Sequence, residues 1–215
     1  MSANLTLTAT DDIDSDGPGS ATTGSGGGGS FPVNSVIDAF NRADGGMGAN
    51  WTNAWESGSS SFEIFSNQAR PAVATNNNST AYWNVQNFGA DVEVYVTLGA
   101  NVGGYCQLAA RLVSEGTGGV DGYLLSTNGS NLEVYRIDNG GFTLLGSSIT
   151  QSVTSGDAFG MSIVGDVITV YYKASGGSWV SKGTRTDSTH GATGKVGLRG
   201  GGASDRFDDF GAGSL

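Results

Sequence analysis

Three aspartates at alternate positions, Asp12, Asp14 and Asp16, followed at once by Gly17, are the sharpest chemical signal in the chain. Alternating carboxylates ahead of a tight glycine turn suit a hard cation, since calcium gathers about six to eight oxygens. The run matches the first half of an EF-hand-type loop. The second half departs from it, because the loop's last position, where a bidentate glutamate belongs, is Thr23. Two readings stand: a calcium site on Asp12, Asp14 and Asp16, or a solvated acidic turn at the head of a linker.

Catalytic groups are scarce. Cys106 and His190 are the single cysteine and the single histidine. Cys106 shares an alternating face with Leu108, Ala110 and Leu112, which predicts a small buried side chain rather than a thiolate. His190, in Ser188-Thr189-His190-Gly191, reads as a surface turn residue rather than a general base. Asp208 and Asp209 are adjacent, so a regular strand would point them to opposite faces. Asp205 and Asp209 share a face but stand roughly 13 Å apart at about 3.3 Å per residue. Glycoside hydrolysis needs carboxyl groups about 5–5.5 Å or about 6.5–9.5 Å apart. The chain is therefore expected not to be an enzyme. Trp83 and Trp179, both near turns, are the candidate stacking platforms for a glycan, whereas Trp51 and Trp55 are expected in the core.

The 215 residues carry a formal charge of −10, and only 14% of them are charged. That balance excludes a phosphate-neutralising surface for nucleic acid and a basic patch for an anionic membrane. No stretch reaches membrane-spanning length. The N-terminal Met-Ser-Ala-Asn-Leu-Thr-Leu-Thr has neither a basic region nor an apolar core, so the chain is expected to be made in a cytoplasm.

What must position these residues is a succession of strands. The stretch from Val36 to Trp55 opens the sequence of strands and Arg206–Phe210 closes it, and the two ends are predicted to pair. Asp91–Leu98 alternates cleanly, with Val92, Val94, Val96 and Leu98 inward and Asp91, Glu93 and Thr97 outward. Strands follow at Tyr105–Val113, Val120–Ser126, Leu132–Ile137, Phe142–Ile149, Ala158–Val164, Val167–Lys173, Trp179–Thr186 and Lys195–Arg199. Asn128-Gly129 and Gly165-Asp166 mark hairpin turns. The pattern predicts an all-β fold, a two-sheet antiparallel β-sandwich.

Residues 1–33 differ from the rest. Asn4–Thr10 alternates like a lone strand, and a Gly/Ser linker runs through Gly24–Ser30. Holding such a linker in one conformation costs roughly 1–2 kcal/mol per residue. An extended arm that gains order against another chain is expected, with Leu5, Leu7 and Ile13 as its contacts. Residues 34–215 then form the sandwich domain.

Phe40-Asn41-Arg42-Ala43-Asp44-Gly45 with Gly48-Ala49-Asn50-Trp51 resembles the opening motif of concanavalin A-like, laminin-G-like jelly rolls. Phe62–Ala69 resembles their next hairpin, and Phe207-Asp208-Asp209-Phe210 their closing strand. The resemblance covers about residues 34–213. It implies a jelly roll of the kind found in carbohydrate-binding proteins, glycoside hydrolases and bacteriophage virion proteins. The Glu-x-Asp-x-x-Glu run of the catalytic members is absent from the sequence. With that resemblance, the leading expectation is a virion structural protein of a bacteriophage. It would be a homotrimeric capsid decoration (cement) protein that grips the major capsid protein, or another virion subunit, through its arm by strand addition. The alternative is a tail-associated receptor-binding or extracellular lectin-like module that reads a glycan.

Overall fold

The computed structural model describes residues 30–73, 79–99, 104–116 and 118–215. Among them there is no helix, and 17 strands form. In chain order these are β1 (Val36–Asp38), β2 (Gly45–Gly46), β3 (Trp51–Asn53), β4 (Phe62–Phe65), β5 (Gln68–Pro71) and β6 (Ser79–Trp83). Then come β7 (Val92–Leu98), β8 (Cys106–Val113), β9 (Asp121–Thr127), β10 (Asn131–Asp138), β11 (Gly141–Leu144) and β12 (Ile149–Thr150). The last five are β13 (Ala158–Val164), β14 (Val167–Lys173), β15 (Val180–Thr186), β16 (Lys195–Gly200) and β17 (Phe207–Ser214).

Two sheets result. The first runs β15-β14-β13-β7-β17-β5-β4-β2, with β1 added on β17; the second runs β11-β10-β9-β8-β16-β6-β3, with β12 on β10. The strand ladders are antiparallel. First and last strands pair as the sequence predicts, Val36 opposite Gly211 and Asp38 opposite Phe210. Inward residues of the first sheet, among them Val94, Phe159, Met161 and Phe207, meet Leu108, Leu125, Val134 and Leu198 of the second in one apolar layer. This is the two-layer sandwich that alternating hydrophobicity demands.

The hairpins turn where small residues allow it. Asn139 and Gly140 take φ of +48° and +77° between Asp138 and Gly141, which are paired. Gly165 at φ +55° turns β13 into β14 with Val164 opposite Val167.

Four local expectations are corrected. Glu93 does not face water; it is 1% exposed because residues 31–34 lie over it. Leu112 leaves the Cys106 face, because the ladder slips between Ala110 and Val113 and Arg111 adopts φ +52°. Such a bulge puts two residues opposite one and reverses the alternation beyond it. Leu112 accordingly joins Trp55, Ala109, Val120, Leu124 and Ile137 in a second apolar cluster on the outer side of the second sheet. The expected strand Phe142–Ile149 is two pieces, β11 and β12. Asp208 and Asp209 do not simply alternate, since the register jumps between Asp208 and Gly211 with Asp209 at φ +48°. That slip lets Phe207 and Phe210, three residues apart, both point inward. The arm residues Leu5, Leu7 and Ile13 and the acidic run Asp12, Asp14 and Asp16 lie outside the described residues.

Candidate functional site

Neither tryptophan singled out from sequence is a free platform. Trp83 pairs opposite Trp51 across β3 and β6 on the inward side, edge-to-face at 5.5 Å, and is 8% exposed. The reason is periodicity: Ala81 and Trp83 share the core face of β6. Its remaining edge lines a pocket of about 350 Å³ with Ile37, Asp38, Arg42 and Met47. Trp179 is half-buried against the chain's own rings, 4.9 Å from Phe31 and 5.7 Å from Tyr95, both edge-on. Trp51 and Trp55 are core residues, as expected. Cys106 is fully buried, and burial followed by the neighbouring Asp205 carboxylate pushes its thiol well above the usual range.

A different constellation emerges on the outer face of the second sheet. Register places Thr80 opposite Arg199, Arg199 opposite Gln107, Gln107 opposite Ser126, and Ser126 opposite Glu133. One polar row therefore crosses five strands. Arg199 donates to Gln107 Oε1 at 2.7 Å and to Glu56 Oε2 at 3.3 Å. Gln107 Nε2 donates to Ser126 Oγ at 2.9 Å. At the far end Glu133 accepts from the Tyr135 hydroxyl at 2.7 Å and from Ser148 Oγ at 2.5 Å. Burial, and then that bond to Glu133, push the Tyr135 phenol up to about 12.

The adjacent row reads Tyr82, Gly197, Ala109, Leu124, Tyr135. Two aromatic rings thus stand at its ends, with small and aliphatic residues between them. Tyr105 and Phe142, 44% and 39% exposed, add further rings around this face. Phe142 and Arg199 lie four strands apart in the sheet order, which in a flat sheet would be about 19 Å. Yet the Arg199 guanidinium carbon sits 5.2 Å from the centre of the Phe142 ring. The sheet curls, and this outer face is its hollow side.

Thr80, Gln107 and Ser126 are themselves buried, at 0%, 5% and 1% exposed, so the row braces the groups at its surface, Arg199 and Glu133, and the aromatic rings around them are what a ligand would meet. This is the chemistry that hydroxyl-rich rings require. The sequence could have shown these residues only as outward positions. That they form one row depends on register across five strands, which alternation within a strand does not reveal.

No protein-family model matches the sequence, and no curated protein does. Among solved structures, the chain is similar to the carbohydrate binding module CBM66 from Bacillus subtilis. The TM-score is 0.54 at 15% identity, over 79% of this chain and 98% of that one. It is similar also to a prokaryotic β-1,3-1,4-glucanase (lichenase) from a mouse hindgut metagenome, with TM-score 0.52, 12% identity, and 82% and 97% covered. A third is the CBM2 module of the evolved Dit of Lactobacillus casei BL23 phage J-1, with TM-score 0.50, 14% identity, and 83% and 94% covered. At these identities the likeness is one of fold, and the fold is that of the concanavalin A-like, laminin-G-like jelly roll.

Proposed function

We propose that this chain is a non-catalytic carbohydrate-binding module whose glycan lies in the hollow of the second sheet. The observation that carries the reading is the row from Thr80 to Glu133, walled by Tyr82, Tyr105, Tyr135 and Phe142. The fold neighbour that is itself a carbohydrate binding module supports it. Absence of catalysis is supported by how the two carboxylates of this face are used. Glu56 is engaged by Arg199, and Glu133 by Tyr135 and Ser148.

A virion setting for the same module has one supporting observation, the fold likeness to a module of a phage protein. In that setting the glycan-reading alternative is favoured over capsid decoration. The decoration reading rests on the arm of residues 1–33, of which residues 1–29 lie outside the described residues.

A glycan array followed by affinity electrophoresis on the binding polysaccharides tests the proposal. Tyr105→Ala and Phe142→Ala, both at exposed rings, are expected to weaken retention by about tenfold or more each, with the thermal midpoint little changed. Retention equal to that of the parent chain in both variants overturns the site. Failure to bind any glycan overturns the function.

A further inference from the structure

We infer that Asp121, Asp138 and His190 form a site for one divalent transition-metal ion, best suited to zinc, at one end of the second sheet. A carboxylate oxygen from each aspartate and a ring nitrogen of His190 all lie within 4.8 Å of one another. The three come from separate segments. Asp121 opens β9, Asp138 closes β10, and His190 sits between β15 and β16.

The donor set is what separates this cluster from an ordinary acidic patch. One ligand is an imidazole, and it is the chain's only one. A nitrogen donor with two carboxylates fits a borderline ion such as zinc better than calcium or magnesium, which take oxygen.

Each ligand is held in place by groups outside the set. The His190 backbone N–H donates to the Tyr123 hydroxyl at 3.1 Å, and its carbonyl accepts from Arg111 Nη1 at 2.8 Å. Its ring packs edge-on to Tyr123 at 5.6 Å, leaving Nε2 3.0 Å from Asp138 Oδ1. Asp138 Oδ2 accepts from Arg136 Nε at 2.6 Å, and Asp121 Oδ1 accepts from the Asn139 N–H at 2.7 Å. Fixing ligands from behind in this way is how metal sites are preorganised.

The local charge also suits a cation. Asp121, Asp138 and Asp187 supply three negative charges here, and Arg136, bonded to both Asp138 and Asp187, supplies one positive charge. Arg111 reaches this cluster only through the His190 carbonyl and turns its other N–H groups to Ala90 O and Gly165 O. Three carboxylates against one guanidinium leave this end of the sheet acidic, which favours a bound cation. Zinc would tie the loop carrying His190 to the β9–β10 pair and stabilise the fold by mass action.

The test uses the full chain, freed of metal with a chelator, and zinc chloride as the probe. Isothermal titration gives stoichiometry and affinity. Long-range ¹H–¹⁵N spectra of the imidazole give the ligand atom, unambiguously because there is one histidine. Expected are one ion per chain and a zinc-dependent shift of His190 Nε2. Both should be lost in Asp121→Asn, which keeps an acceptor for the Asn139 N–H, and the stoichiometric binding should be lost in His190→Gln. A chain with Asp12→Asn, Asp14→Asn and Asp16→Asn together should bind zinc as the parent does. An unshifted Nε2, undiminished binding in Asp121→Asn or His190→Gln, or loss of binding only in the triple variant overturns the site.

Discussion

Phe31 lies flat on Tyr171, ring centres 3.9 Å apart and planes 1° from parallel. Trp179 and Tyr95 close around the same ring edge-on. Beneath it Gly160 leaves the necessary room, since a Cβ there would stand 2.7 Å from both Phe31 and Tyr95. Two residues before Tyr95, Glu93 receives the backbone N–H of Val33 at 2.8 Å and the side-chain amide of Asn34 at 3.0 Å, with the Asn34 backbone N–H also on Oε1. The Tyr95 hydroxyl donates to the Asn34 carbonyl at 3.0 Å. Residues 31–34 are therefore part of the outer surface of the first sheet.

Phe31→Ala should cost about 2 kcal/mol, less than a fully buried phenylalanine because the ring is half-exposed. Glu93→Ala should cost a similar amount, about 2 kcal/mol, by leaving the Val33 and Asn34 donors without their acceptor. Because both act through one segment, the double variant should be less destabilised than the sum. Urea denaturation with a double-mutant cycle measures this, and strict additivity would show that the two contacts are independent.

Asp38 gives the physical reason for the opening motif. Its carboxylate accepts from the Phe40 N–H at 2.8 Å, from Arg42 Nη1 at 2.7 Å and Nη2 at 3.0 Å, and from Trp51 Nε1 at 2.7 Å. Asp38→Ala would leave the Trp51 indole unpaired and the partly buried Arg42 guanidinium with the Met47 carbonyl as its remaining acceptor, at about 3 kcal/mol. The tryptophan emission, to which Trp51 is one of four contributors, should shift to the red as its ring loosens. An unchanged midpoint would mean that the motif's residues are held by packing alone.

These cases show what a single sequence carries. The sandwich, its hairpins and the pairing of its ends were legible because alternation and turn chemistry are local. Cys106 was legible for the same reason. The bulges at Arg111 and Asp209 were not, since one extra residue leaves the alternation plausible on either side of it. The wet face expected at Glu93 failed because a segment about 60 residues earlier in the chain covers it. The row from Thr80 to Glu133 and the meeting of Asp121, Asp138 and His190 depend on register between distant strands, which no single stretch records.

Arg111 should tolerate no replacement well. It is 2% exposed, and its three nitrogens donate to the carbonyls of Ala90 at 2.6 Å, His190 at 2.8 Å and Gly165 at 2.8 Å. Its burial lowers its proton affinity, with Tyr123, Asp91 and Asp166 acting the other way. Lysine, with one compact ammonium, cannot span three loops. Arg111→Lys should cost about 2–3 kcal/mol and speed amide exchange in the loops around His190 and Gly165. Equal exchange in both loops would refute the three-way tie.

The acid limb of stability should be governed in part by Asp187. Burial by itself would raise its carboxyl. Hydrogen bonds from the Thr189 N–H at 2.9 Å, the Tyr123 hydroxyl at 2.8 Å and Arg136 Nη1 at 2.9 Å outweigh it and hold the value at about 2, against an ordinary 3.8. A carboxyl lowered by folding stabilises fully above its unfolded value, and that contribution is lost as pH falls through the folded one. Asp157 acts in the same direction, its own burial overcome by Thr154, Ser175 and Tyr172. Asp208 opposes them, because burial raises its carboxyl. Stability should therefore fall between about pH 4 and pH 2. At the alkaline end the sign reverses: burial pushes the Tyr123 phenol up to about 12 from 10.0, so stability should fall again as pH rises through that interval. Urea midpoints across both limbs test this. Asp187→Asn should flatten the acid limb, and an acid slope equal to that of the parent chain would remove Asp187 from the account.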